Sequence, residues 1–145
     1  MISPTRAGQR EWIALGVLML PVLLVSVDNT VLSFALPEIS QELRPTGNQL
    51  MWIVDLYALM LAGLLIAMGS LGDRIGRRKL LIIGSIGFGL ASALAAFSTS
   101  AEMLIVARAL LGFFGATLMP STLSLIRNIC ADDRDRRLAI ATWAA

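Results

Sequence analysis

The chain has 145 residues, 57% of them apolar, with a mean hydropathy of +0.76 and a formal net charge of +2. Soluble domains carry about 45–50% apolar residues, so lipid rather than water is the solvent this composition suits. A single cysteine and the absence of histidine exclude an intrachain disulfide, a Cys/His metal set and a histidine base, and with them the usual hydrolase and zinc chemistries.

Residues 1–11 read as a short polar tail. The apolar run 12–36 is too long for a signal peptide and shows no small-x-small cleavage site, so it is predicted to stay as a first helix, with Trp12 at the membrane interface and Pro21 kinking it. Asp28 lies inside this run, followed by Asn29 and Thr30. A carboxylate within a span costs about 2.5–3.5 kcal/mol on insertion scales, so Asp28 is expected to face protein or a water-filled cavity. Pro37 to Arg44 reads as a short surface helix with Ile39 and Leu43 on one face.

Thr46-Gly47-Asn48-Gln49 has the form of a capping box opening a second helix over about 50–71. This helix carries Trp52 and Asp55 near one end. Asp55 reads either as a structural partner of Arg108 or as a substrate ligand, and Tyr57 either lines a cavity or anchors at the interface. The stretch 69–81, Gly-Ser-Leu-Gly-Asp-Arg-Ile-Gly-Arg-Arg-Lys-Leu-Leu, is a polar hinge holding four of the twelve Lys and Arg residues. It leaves room only for a tight turn between antiparallel helices, with Gly69, Gly72 and Gly76 allowing close backbone approach or positive φ.

A third helix over 80–97 has no charge at all but offers Gly84, Gly87, Gly89 and Ala93, and Ser85, Gly89 and Ala93 form a small-residue stripe suited to close packing. Thr99-Ser100-Ala101-Glu102 reads as a second capping box ahead of a fourth helix over 103–126. Arg108 lies about two turns into it, either buried and paired or snorkelling outward, with Pro120 bending the same helix. A charged loop, 127–137, leads to 138–145, the start of a fifth apolar segment too short to span a bilayer.

Ten cations fall on one side of these helices: Arg6 and Arg10 in the tail, Arg74, Arg77, Arg78 and Lys79 at the hinge, and Arg127, Arg134, Arg136 and Arg137 after the fourth helix. The opposite side has Arg44 alone. The positive-inside rule therefore predicts a multi-pass protein of the cytoplasmic (inner) membrane with its N terminus in the cytosol. A pI near 9.3 does not indicate nucleic acid here, because the cations sit in segments between apolar runs. Asp28, Asp55 and Arg108 come out at similar depths on three helices and are expected to meet, two carboxylates sharing one Arg with coupled titrations.

The spacing Gly69-x-Leu71-Gly72-Asp73-Arg74-x-Gly76-Arg77-Arg78-x-x-Leu81 resembles the loop between helices 2 and 3 of major facilitator superfamily transporters. The runs Asp28 to Pro37 and Trp52 to Leu59 resemble the 14-helix drug:proton antiporter branch, and Leu104-x-x-x-Arg108-x-x-Leu111-Gly112-x-x-Gly115-Ala116 resembles its fourth-helix signature. Ser33, Leu111 and Phe114 stand where that branch commonly has Asn, Gln and Gly.

The resemblance implies an all-α membrane protein: four transmembrane helices and the start of a fifth, part of an N-terminal six-helix bundle within 12–145. It implies no enzyme, cofactor or metal, but multidrug efflux of lipophilic and cationic compounds driven by the proton gradient. Asp28, Asp55 and Arg108 would serve substrate and proton coupling, and Gly69, Asp73, Arg74, Gly76, Arg77 and Arg78 a cytoplasmic gate against the opposite half of the transporter. As a fragment of such a protein the chain is expected to be transport-incompetent alone. The alternative is a small stand-alone membrane protein that oligomerises through the Gly84 to Ala93 stripe, or a non-functional truncated product.

Overall fold

A computed structural model describes residues 8–130 and 132–145. The expected tail lies mostly outside the described residues, and its last part, from Gln9, is already helical. The described residues form five helices and no strand: α1 Gln9–Glu42, α2 Gly47–Ile75, α3 Arg77–Ala96, α4 Ala101–Ile129 and α5 Asp133–Ala144. The first four are long and apolar enough to cross a membrane, which is the all-α membrane architecture expected from composition.

α4 is the hub. Half of its most apolar window is buried, against 11–22% in the other three long helices, so they pack around α4 more than on one another. Its small residues make this possible. A Cβ on Gly112 would stand 2.7 Å from the Tyr57 carbonyl oxygen, and one on Gly84 or Gly87 would collide with Thr117 or Phe114. The close packing of α3 therefore runs through Gly84, Gly87, Phe88 and Ala91. The stripe of Ser85, Gly89 and Ala93 does not carry it: Gly89 and Ala93 are exposed, and a Cβ on Gly89 would meet nothing within 4 Å.

α1 lays one row against the rest. Leu15, Leu18, Pro21 and Val25 are buried, and the row continues through half-buried Asp28, Leu32, Ala35 and Ile39 at steps of three or four residues. Leu15 and Leu18 pack with Ile126, Cys130 and Ala139 at one end. Val25 joins Tyr57, Phe88, Ala91, Leu111 and Leu118 in the middle.

Three boundaries differ from the sequence reading. α1 passes straight through Pro37, so the surface helix expected at 37–44 is its last turns; a proline removes one N–H, and helix remains the conformation that bonds the rest. The cap of α4 is Ser100, which accepts from Met103 N, so Glu102 is one residue short of the reciprocal box position. The charged segment 127–137 is mostly helix: α4 runs to Ile129, and Asp132 caps α5 by accepting from Arg134 N. The box at Thr46 and Gln49 is formed in both directions.

The hinge between α2 and α3 is a single residue. Gly76 ends one helix and begins the next at φ 102° and ψ 131°, a conformation that L side chains rarely adopt. Gly76→Ala is expected to cost about 1–3 kcal/mol through backbone strain alone, since nothing lies within 4 Å of an added Cβ. Thermal unfolding of the purified protein in detergent checks this, and an unchanged midpoint would contradict it.

Candidate functional site

Arg108 is 2% exposed in the middle of the bundle and has partners on two other helices. Its Nη1 donates to Asp28 Oδ2 on α1 at 2.9 Å, and its Nε donates to the Ile53 carbonyl on α2 at 3.1 Å. The Tyr57 ring covers it with its centroid 4.5 Å from Cζ. A guanidinium has five N–H donors and no acceptor, so a buried one needs carboxylate, carbonyl and ring-face partners of this kind. The Arg108 side chain is paired inside the protein and does not snorkel to the surface.

The neighbouring glycines explain the α2 side of the site. Gly112, one turn beyond Arg108, brings α4 onto the backbone of Tyr57, and a Cβ on Gly115 would lie 3.5 Å from the Tyr57 hydroxyl. Ile53 and Tyr57 are one turn apart on the α2 face that meets α4. The Ile53 carbonyl has a second lone pair free for Arg108 after its helical bond.

On the α1 side, Asp28 occupies a position of the packing row that is otherwise apolar. Its neighbours satisfy themselves: Ser26, Asn29, Thr30, Ser33 and Ser40 each donate to a carbonyl four residues back. Asp28 instead reaches across to α4. It forms part of the wall of a cleft of about 450 Å³ between α1, α3 and α4, with Arg108 beside it and mostly Leu, Val, Ile and Ala around it.

Asp55 does not join this pair. It lies two residues from both Ile53 and Tyr57, about 200° around the helix from each, and is exposed on the far side of α2 without a hydrogen bond or ion pair among the described residues. The expected meeting of Asp28, Asp55 and Arg108 is therefore corrected to Asp28 and Arg108 alone. Helical phase is the reason, since similar depth does not place two residues on the same face.

The hinge residues make a second cluster. Arg77 Nε donates to Asp73 Oδ1 at 3.1 Å one turn back, and Arg77 Nη1 donates to the Pro120 carbonyl on α4 at 3.1 Å. Gly69 faces Pro120, with a Cβ there 3.9 Å from Pro120 Cβ, and buried Gly72 lies against the Arg77 stem and Leu80. Arg74 and Arg78 point outward, exposed. The single-residue turn thus has Arg77 fastened to α4 and the other two arginines free of it.

Three partners escaped the sequence reading: the Ile53 carbonyl, the Tyr57 ring face and the Pro120 carbonyl. Two are backbone atoms, which leave no mark in residue identity. The close-packing pair Gly112 and Gly115 just after Arg108 was the available sign that a bulky residue of another helix comes close.

A family model described as Major Facilitator Superfamily matches residues 18–145. Over 143 residues the chain is 65% identical to the multidrug efflux pump LfrA of Mycolicibacterium smegmatis, covering 99% of this chain and 28% of that protein. It is 44% identical over 136 residues to the methyl viologen resistance protein SmvA of Salmonella typhimurium, 94% of this chain and 28% of that one. Against the puromycin resistance protein pur8 of Streptomyces alboniger the identity is 36% over 136 residues, 94% of this chain and 27% of that protein. The chain thus spans between a quarter and a third of the length of these curated relatives.

Proposed function

The chain belongs to the Major Facilitator Superfamily, and from that premise we propose that it supplies part of the first helix bundle of a proton-coupled pump that exports lipophilic and cationic compounds. Its relatives point to a transporter rather than an enzyme. The observation that carries the reading is the pair of half-buried Asp28 and buried Arg108 in the wall of an otherwise apolar cleft. A carboxylate in such a place has three exchangeable partners: the guanidinium, a proton and an organic cation. Only one of the three can neutralise it at a time. Binding the proton and binding the cation are then alternatives, which is the requirement for exchange.

In this reading Arg108 returns to Asp28 between the two occupancies and keeps the site from standing empty and charged. Asp55, exposed on α2, faces the part of the transporter beyond this chain and contributes to the same path from there. Gly69, Asp73, Arg74, Gly76, Arg77 and Arg78 form the cytoplasmic gate, with Arg77 fixed to α4 and Arg74 and Arg78 directed at the opposite bundle. The N terminus and the hinge lie in the cytosol, on the side of the ten cations. Alternating access requires that second bundle to rock against this one about the site.

The test is export of a fluorescent lipophilic cation, such as ethidium, from cells expressing the complete coding sequence. Energised cells are expected to hold several-fold less dye than cells carrying empty vector, and a protonophore is expected to abolish the difference. Equal dye in both would overturn export. A difference that survives the protonophore would overturn proton coupling.

A further inference from the structure

Arg108 is held from two sides that differ in kind. The α1 side is a charge pair, Asp28 Oδ2 at 2.9 Å, which a proton or a bound cation can dissolve. The α2 side is the Ile53 carbonyl at 3.1 Å and the Tyr57 ring at 4.5 Å, a backbone dipole and a ring face that hold the guanidinium without a formal negative charge. The α2 side is also the more closely packed one, because Gly112 seats α4 directly on the backbone of Tyr57.

We propose that Tyr57 is a positioning residue: its ring face, with the Ile53 carbonyl, keeps the Arg108 guanidinium in place on α2 whenever Asp28 releases it. This rests on the reading of Asp28 and Arg108 as the coupling pair. The alternative for a buried cation that loses its carboxylate is to swing toward water, and each swing would have to be reversed before the next cycle. A ring face holds charge without competing for a proton.

The hydroxyl has no share in this. It is buried, with the Asn29 side chain near it and no hydrogen bond of good geometry among the described residues, while the ring face does the holding. Phenylalanine keeps the face and removes the hydroxyl; leucine keeps apolar bulk and removes the face.

The experiment uses the complete transporter, with thermal unfolding midpoints in detergent and ethidium export read on the same variants. Tyr57→Phe is expected to match or exceed the parent midpoint and to export within twofold of it. Tyr57→Leu is expected to lower both, export by about tenfold. In an Arg108→Gln background the midpoint loss caused by Tyr57→Leu should shrink by at least half, because the pair it breaks is already gone. In an Asp28→Asn background that loss should persist in full, because α2 holds Arg108 without Asp28.

Additive midpoint losses of Tyr57→Leu and Arg108→Gln would overturn the proposal, as would Tyr57→Phe behaving like Tyr57→Leu. So would disappearance of the Tyr57→Leu loss in the Asp28→Asn background. Unchanged export by Asp28→Asn itself would instead overturn the coupling reading, and the unfolding data would still decide the role of Tyr57.

Discussion

Asp28→Asn is expected to abolish ethidium export by the complete transporter while the protein still accumulates in the membrane. The substitution preserves shape and leaves an amide oxygen to accept from Arg108 Nη1, but removes the charge. Breaking a buried ion pair by truncating one partner costs about 3–5 kcal/mol, chiefly because it leaves an uncompensated charge. Here that cost is reduced, since Arg108 retains the Ile53 carbonyl and the Tyr57 ring and the amide retains a hydrogen bond. What cannot be retained is neutralisation by a proton in exchange for a cation, because an amide does neither. Dye accumulation and membrane protein quantity, measured together, separate the two effects. Export at the parent level would remove Asp28 from the mechanism, and loss of the protein would make its role structural.

Gly112→Ala is expected to damage both the fold and the Arg108 site. The added Cβ would stand 2.7 Å from both the Tyr57 carbonyl oxygen and Met60 Cβ, and the first of these is backbone that cannot turn aside. Forcing an atom into a filled space costs about 1–3 kcal/mol or more, and here the relief is separation of α2 from α4 at the level of the Arg108 site. A lower unfolding midpoint and weakened export are both expected. Gly89→Ala is the control: it adds the same methyl on α3 where nothing lies within 4 Å, and should leave the midpoint unchanged or raise it slightly through helix propensity. If the two variants unfold alike, the α2–α4 contact is not as close as described.

Most of the architecture was legible because membranes impose few choices. Apolar runs gave the four long helices, and a carboxylate and a guanidinium inside such runs had to find one another, as Asp28 and Arg108 do. The first limit was phase. Asp55 is at the right depth for the pair but on the wrong face, and depth is all that a hydropathy reading supplies. The second limit was the use of main-chain acceptors, as with Arg77 on the Pro120 carbonyl, which depends on where a helix passes and not on what it is made of. The third was punctuation. Pro37 and the polar stretch around Arg74 read as breaks, yet helix persists through both, and the whole turn between α2 and α3 reduces to Gly76. In a low-dielectric environment unbonded peptide groups cost more than an awkward side chain, so helices extend to the last residue that permits them.

The self-bonded hydroxyls and amide of α1 have a mechanical consequence. A helix whose polar side chains are tied to its neighbours cannot turn without orphaning them, and each lost bond adds to the friction. Ser26, Asn29, Thr30, Ser33 and Ser40 carry their bonds with them, so α1 can rotate or slide along α4 with these groups satisfied throughout. Among the described residues, the side-chain hydrogen bond from that stretch to α4 is the one between Asp28 and Arg108, so movement there breaks a single ion pair. In a rod about 50 Å long, the polar connection to α4 is thereby gathered at one charge, while the apolar contacts of Leu15, Leu18 and Val25 hold the rest.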